Sequence, residues 1–490
     1  MPAVQPERKI ETKPGGFMSL QLAVVPAFDF DKVSFEKDSE VHLDVVLTAP
    51  EREQQKRIPL HLILAVDCSG SMQGRKLTQV KSTIDKLVDH LTENDNLGVI
   101  SFSETAWSVL DAIPMTAENK NLAKAKVAEI RERGMTNMSD AISMGLEKAT
   151  IADTSKTARL ILLTDGLPTA GICDKTALIN LAGNTNQRVS ISCFGYGDDF
   201  DAELMASLSR MGRGNNFYIR NDDECASAFA LELGGLLSLF GQNIKINITP
   251  SGNMTFKEML SEYKCDQVQG FRLLNPGNIE IKIDDIFVGE TKHCILKLDI
   301  PKATEAVCAR PTNVCAIEVS YTDTETQKEQ VLVASAKIQY VKASKVATEA
   351  NPEVKKQLMV LEAVRLQKEA KAKADVGDYK GAQGILREAV SFVTDNAQWI
   401  PNSGSYATAY QNMTQDFADS GSYRSKGIRS STSFMYAAST GRGASMDSLG
   451  ISNVSSSQIK MMASFSDSGT KVDPTVDPAL LNIVPEEKKA

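Results

Sequence analysis

Between Ile58 and Phe240, short runs apolar at nearly every position alternate with helix-length segments whose apolar residues recur every three or four positions. A strand with no polar face must be covered on both sides, so this rhythm calls for a mostly parallel sheet with helices on each face. The strands read as Leu60 to Val66, Leu97 to Phe102, Trp107 to Leu110, Leu160 to Thr164, Val189 to Phe194 and Asn216 to Ile219. One intervening helix carries Leu77, Val80, Ile84, Leu87 and Leu91 on a single stripe. The expectation for residues 58–240 is an α/β, doubly wound, Rossmann-like domain.

The flanks follow a different period. After Phe240, Ile244, Ile246 and Ile248 alternate with Lys245 and Asn247, and similar runs surround Ile281, Leu296, Ile317 and Ile338. Period two marks a half-exposed antiparallel sheet, here residues 241–345. Residues 18–57 contain two β-rich segments too short to form a sheet alone. They are expected to join the later strands in one β-sandwich, with the α/β domain inserted between them.

Asn351 and Pro352 then open a helix carrying Val354, Leu358, Leu361 and Leu366, broken at Gly377. A second helix begins at Asp378, and residues 351–398 read as an antiparallel helical hairpin. Beyond Asn402 the chain is rich in Ser, Gly and Thr, so 402–490 is expected to be a largely disordered tail in which Ile459 to Phe465 is able to dock. Residues 1–17 read as a flexible N-terminus.

Composition excludes some functions. A net charge of -8 offers no field for a phosphate backbone, so nucleic acid is not an expected partner. The first sixteen residues are polar, with neither a secretory signal nor a transmembrane segment, and the eight cysteines lack CxxC spacing. The expectation is a cytoplasmic protein with buried free thiols. No phosphate-binding G-x-x-x-x-G-K-S/T loop is present, and Gly195-Tyr196-Gly197 lacks the third glycine of a dinucleotide fingerprint. The acidic groups Asp198, Asp199, Asp201 and Asp222, Asp223, Glu224 read as helix starts.

The chemistry concentrates at strand ends. Leu60 to Val66 runs into Asp67-Cys68-Ser69-Gly70-Ser71, a D-x-S-x-S pattern at the carboxyl edge, where open α/β sheets bind ligands. Leu160 to Thr164 ends at Asp165, and the loop Gly134-Met135-Thr136-Asn137 precedes a helix. Carboxylates and hydroxyls are hard donors that suit Mg2+, Mn2+ or Ca2+. Taken alone, D-x-S-x-S is equally the look of a strand-to-helix cap.

Together these three loops resemble the metal-ion-dependent adhesion site of von Willebrand factor A domains, whose five positions are filled here by Asp67, Ser69, Ser71, Thr136 and Asp165. The resemblance covers about Leu60 to Phe240. It implies a divalent cation, Mg2+ before Mn2+ or Ca2+, held directly by the serines and the threonine and partly through water by the aspartates. A vacant position would take an Asp or Glu carboxylate from a protein partner. In similar A domains the last helix, here Ala228 to Phe240, slides to couple the site to its neighbour, and Gly234 and Gly235 are expected to weaken it. The wider arrangement is similar to intracellular and bacterial proteins of this superfamily and distantly to inter-alpha-trypsin inhibitor heavy chains. An adhesion or scaffold role without catalysis is expected. The rivals are a metal-dependent hydrolase or phosphatase using Asp67, and a structural module in which the metal only stabilises.

Overall fold

The computed structural model describes residues 21–440 and 456–465, apart from 52–57, 154, 184–188, 253, 262, 264, 266–267, 270–271, 274–276, 284, 306–309 and 347–348. The N-terminal stretch 1–17 lies outside the described residues.

Three strands come first: β1 (Ala23–Phe28), β2 (Lys32–Ser34) and β3 (Ser39–Thr48). The α/β unit follows as β4 (Leu60–Asp67), α1 (Arg75–His90), β5 (Asn96–Phe102), β6 (Ala106–Pro114), α2 (Ala117–Ala128), α3 (Met138–Thr150) and β7 (Thr157–Thr164). It continues through α4 (Lys175–Gly183), β8 (Val189–Tyr196), α5 (Ala202–Met211), β9 (Arg213–Ile219) and α6 (Asp222–Leu237). Its sheet has the order β6-β5-β4-β7-β8-β9, with every pair parallel except β5 and β6.

Strands β4, β7 and β8 are buried at every position. Alternate side chains explain it: Leu60, Leu62, Leu64 and Val66 pack toward α1 and α6, while Ile63 and Ala65 pack toward α3, α4 and α5. The direction in which strands are added reverses at β4, because β5 lies on one side of it and β7 on the other. The carboxyl ends of β4 and β7 therefore border the crevice of a topological switch point.

The remaining strands are β10 (Leu239–Pro250), β11 (Thr255–Met259), β12 (Val268–Gln269), β13 (Arg272–Leu273), β14 (Ile279–Ile283), β15 (Ile286–Phe287), β16 (Thr291–Ile300), β17 (Thr312–Asp323) and β18 (Glu329–Val341). They form two sheets, β1-β3-β16-β11-β13-β12 and β14-β10-β17-β18-β2, with β15 also on β10. Strand β3 pairs with β16 from Ser39 opposite Ile300 to Thr48 opposite Thr291. The early strands thus complete the sandwich, and the α/β unit interrupts it. Its core comes from alternating residues such as Val41, Leu43, Val45, Ile244, Ile246 and Ile248.

A buried ionic joint connects the two units. Arg159 on β7, 1% exposed, meets Asp285 of the sandwich at 2.8 Å and Glu232 of α6 at 3.5 Å. Glu232 accepts hydrogen bonds from Ser192 and Asn215, each at 2.6 Å. Opposite charge on Asp285 and Glu232 offsets the burial of the guanidinium, although its Nε and Nη1 make no hydrogen bond among the described residues.

Asn351 caps α7 (Pro352–Asp375), and Gly377, at φ +83, turns the chain into α8 (Tyr379–Asp395), which Asp378 caps. The expected disorder beyond Asn402 does not hold for 403–440 or 456–465. These residues form α9 (Ser403–Asp416), α10 (Ser420–Ser422), a π-helical turn (Tyr423–Gly427), α11 (Ile428–Thr440) and α12 (Ser456–Phe465). Few residues here are apolar, but those few are large. Tyr406, Tyr410, Phe417, Tyr423 and Phe434 bury their rings against the hairpin, and each aromatic removes far more surface from water than an aliphatic residue. The rest of that expected tail, 441–455 and 466–490, lies outside the described residues.

The helical region also docks on the α/β unit. The Tyr436 hydroxyl donates to the Gly214 carbonyl at 2.6 Å, and Lys371 pairs with Glu203. Farther on, α12 lies against α6 and α1: Phe465 enters the α/β core and stacks on His90, and Gln458 donates to the Leu231 carbonyl at 2.9 Å.

The last helix of the α/β unit differs from the expected Ala228 to Phe240 in its bounds. It spans Asp222–Leu237, and Phe240 already belongs to β10. Gly234 and Gly235 form a contact surface: a Cβ on Gly234 would stand 2.7 Å from Gln458 Cα, and one on Gly235 would stand 2.8 Å from the Phe287 ring. Their missing side chains let α12 and β15 approach.

Candidate metal centre

Strand β4 delivers Asp67 to the sheet edge, and the backbone then turns back on it. The Ser69 N–H donates to Asp67 Oδ1 at 2.7 Å, a single 3-10 turn covers Gly70–Met72, and Gly74 at φ +83 leads into α1. This local bond holds the first loop open and presents the two serine hydroxyls, 3.1 Å apart. Next door, β7 delivers Thr164 and Asp165. Ser71 donates its hydroxyl to Asp165 Oδ1 at 2.6 Å, and Thr164 donates to Asp67 Oδ2 at 2.5 Å.

The third loop rests on the first. Gly70 N–H donates to the Gly134 carbonyl at 3.1 Å, and Arg133 N–H donates to the Cys68 carbonyl at 2.6 Å. Asn137 caps α3 through its side chain, which fixes Thr136 just ahead of the helix. The Thr136 carbonyl accepts from the N–H groups of Thr169 and Ala170, so the loop after Asp165 folds over it. Both the Thr136 and the Ser71 hydroxyl oxygens lie 3.5 Å from the point where a Cβ on Gly166 would stand. Glycine at 166 leaves that space clear. Asp67, Ser69, Ser71, Thr136 and Asp165 are thus gathered at one edge of the sheet.

Asp67 and Asp165 are 0% exposed, Ser69 and Thr136 are buried, and Ser71 faces solvent. Burial pushes the Asp67 carboxyl up to about 6, opposed by the hydrogen bonds from Thr164 and Ser69 and reinforced by the neighbouring Asp165 charge. Two carboxylates so placed call for a positive charge. In this chain Lys76 supplies one, with its ammonium 2.5 Å from Asp165 Oδ2.

The donor set fits a hard divalent cation. It has two carboxylates and three hydroxyls, with no nitrogen or sulfur donor. Cys68 turns away, its thiol directed to the Phe102 carbonyl at 3.3 Å inside the α/β core. Among the described residues no group of three or more His, Cys, Asp or Glu is placed to hold a metal, and a hydroxyl-rich site of this kind has only two such members. The other acidic clusters are occupied elsewhere: Asp201 caps α5, Asp198 accepts from Tyr218, and Glu224 pairs with Arg220.

Two participants escape a reading of strand ends and spacing. Thr164 is the last residue of its strand, and its bond to Asp67 depends on β4 and β7 being neighbours. Lys76 leaves a fainter trace, a cation in the first turn of a helix, where the dipole disfavours it. In the loops that carry Thr136 and follow Asp165, Met135, Leu167 and Ile172 are 47%, 51% and 43% exposed.

Residues 61–230 match the family model for the von Willebrand factor type A domain. An uncharacterized protein of Synechocystis is 21% identical over 72% of this chain and 82% of its own length. Bovine inter-alpha-trypsin inhibitor heavy chain H4 is 34% identical over 34% of this chain, and the match spans only 19% of the heavy chain. A solved structure, the von Willebrand factor type A protein from Catenulispora acidiphila, superposes with a TM-score of 0.63 at 16% identity, covering 84% of this chain and 98% of that one. The α/β unit is a von Willebrand factor type A domain, and the solved relative shares its fold well beyond that domain. Among the described residues no helix is long and apolar enough to cross a membrane.

Proposed function

We propose that this chain is a divalent-cation-dependent protein-binding module with an adhesion or scaffold role and no catalysis of its own. Asp67, Ser69, Ser71, Thr136 and Asp165 would hold the cation, with Mg2+ preferred to Mn2+ or Ca2+. The observation that carries the reading is the meeting of two fully buried carboxylates with three hydroxyls at one sheet edge, with Ser71 open to solvent. Two anionic ligands leave a bound divalent ion electrophilic, able to accept an oxygen from an Asp or Glu of a partner. The exposed Met135, Leu167 and Ile172 favour a protein partner over a small anion, because they offer apolar surface beside the charged centre. A reducing, cytoplasmic setting agrees with the seven described cysteines being free thiols.

A hydrolase using Asp67 as nucleophile is the second reading. It is disfavoured because Asp67 is wholly buried and both its oxygens are engaged, by Ser69 N–H and Thr164 hydroxyl. The third reading gives the metal a stabilising role only.

The deciding experiment compares the intact chain with Asp67→Ala/Ser69→Ala, in Mg2+ and in chelator, for Mn2+ binding, partner capture and thermal melting. Binding and capture lost together in chelator and in the variant, with folding retained, support the proposal. Capture that persists without cation favours the stabilising-metal reading. Mg2+-dependent phosphate release abolished by Asp67→Ala would move the assignment to hydrolysis.

A further inference from the structure

Lys76 sits where a lysine is electrostatically misplaced for its helix. It lies in the first turn of α1, at the positive end of the helix dipole. Its compensation is Asp165: the ammonium stands 2.5 Å from Oδ2, while the other carboxylate oxygen takes the Ser71 hydroxyl at 2.6 Å. The opposite wall is shaped for it as well. Gly197 holds φ +74, and a Cβ there would stand 3.3 Å from the Lys76 nitrogen.

We propose that Lys76 is a tethered counter-cation, which holds the cation-free site together and leaves it when a divalent ion arrives. It thereby sets the concentration at which the site fills. This rests on the reading of the site as a divalent-cation centre.

The charge count drives the exchange. Asp67 and Asp165 carry two negative charges, which one divalent ion neutralises; with Lys76 still in place the cluster is left with an excess positive charge, shielded from water on most sides. A divalent ion and an ammonium sharing the Asp165 carboxylate would repel each other, and one of them has to move. Lys76 is 27% exposed on a flexible four-carbon stem, so it can swing to solvent, where an ammonium is well hydrated. The carboxylates have no such freedom, being anchored by Ser69 N–H, Thr164 and Ser71.

The test uses the full chain stripped with chelator and Mn2+ as probe, with free Mn2+ read by electron paramagnetic resonance. Lys76→Met keeps the stem and removes the charge. It is expected to bind Mn2+ about tenfold more tightly than the natural chain, the scale of one modest like-charge repulsion removed. Equal or weaker binding would overturn the proposal. Absence of Mn2+ binding in both chains would overturn the underlying reading of the site, and the proposal with it. A second measurement needs no variant: acetylation of Lys76 by an N-hydroxysuccinimide ester, followed by mass spectrometry, in Mg2+ and in chelator. Mg2+ is expected to speed acetylation several-fold as the ammonium leaves Asp165, and an unchanged or slower rate contradicts the displacement.

Discussion

The Thr164 hydroxyl donates to the Asp67 carboxylate at 2.5 Å, joining the ends of two neighbouring parallel strands across 97 residues of chain. Asp67 is otherwise held by a bond from within its own loop, Ser69 N–H, so Thr164 is what ties it to the next strand. Thr164→Val keeps the β-branched shape and removes the donor. A buried acceptor left short of a partner costs about 1–3 kcal/mol. Urea denaturation should show that loss for Thr164→Val and little loss for Thr164→Ser; a valine variant as stable as the natural chain would contradict it.

The Asp67 carboxyl, raised by burial from 3.8 to about 6, makes stability depend on pH in a set direction. Between these values the folded, cation-free chain keeps a proton that the unfolded chain has released. Stability contributed by this group therefore falls as pH rises from about 4 to about 6 and levels off above. Asp67→Asn removes the effect. In chelator, the stability advantage of the natural chain over Asp67→Asn should shrink across this interval and then hold steady. A difference that stays flat throughout would show that Asp67 does not titrate there.

Gly234→Ala has a sign that depends on α12. In the full chain the new methyl would meet Gln458 Cα at 2.7 Å, and α12 must move away. Hydrogen exchange across 456–465 is expected to lose protection. In a chain ending at residue 455 the collision is gone, and alanine should stabilise α6 by up to about 1 kcal/mol through helix propensity alone. The same sign in both chains would mean that α12 and α6 do not share this surface.

Arg159→Met strands Glu232 and Asp285 in the interior without their counter-charge. A broken buried pair costs about 3–5 kcal/mol. Chemical denaturation should register it, and adding Glu232→Gln and Asp285→Asn should recover part of the loss. A single-variant cost below about 1 kcal/mol would place the joint among weak surface pairs.

The architecture was legible wherever periodicity reports burial directly. The all-apolar strands from Leu60 onward and the alternation around Ile246 each determine which faces are covered, and Asp67, Ser69, Ser71, Thr136 and Asp165 stand where such strands or helices begin and end. Lys76 and Thr164 were not assigned because their roles depend on partners 89 and 97 residues away. The helices beyond Asn402 were missed because Tyr406, Tyr410, Phe417 and Phe434 bury large rings at irregular spacing, which a count of apolar residues undervalues. Gly234 and Gly235 carry a second role for a related reason: a weak helix and a close helix contact leave the same mark in sequence.

The pairing of β3 with β16 bears on how the molecule comes into being. Thr48 and Thr291, opposite one another in the finished sheet, are 243 residues apart, so at ordinary rates of synthesis the first waits roughly ten to fifty seconds for the second to leave the ribosome. The intervening α/β domain has its strands and covering helices to hand and can close in that interval, while the apolar row Val41, Leu43, Val45 and Leu47 remains without its partner strand. Nascent chains stalled before residue 291 should therefore carry an α/β domain complete in its own strands and helices, though still without Phe465, beside a sticky, chaperone-accessible strand.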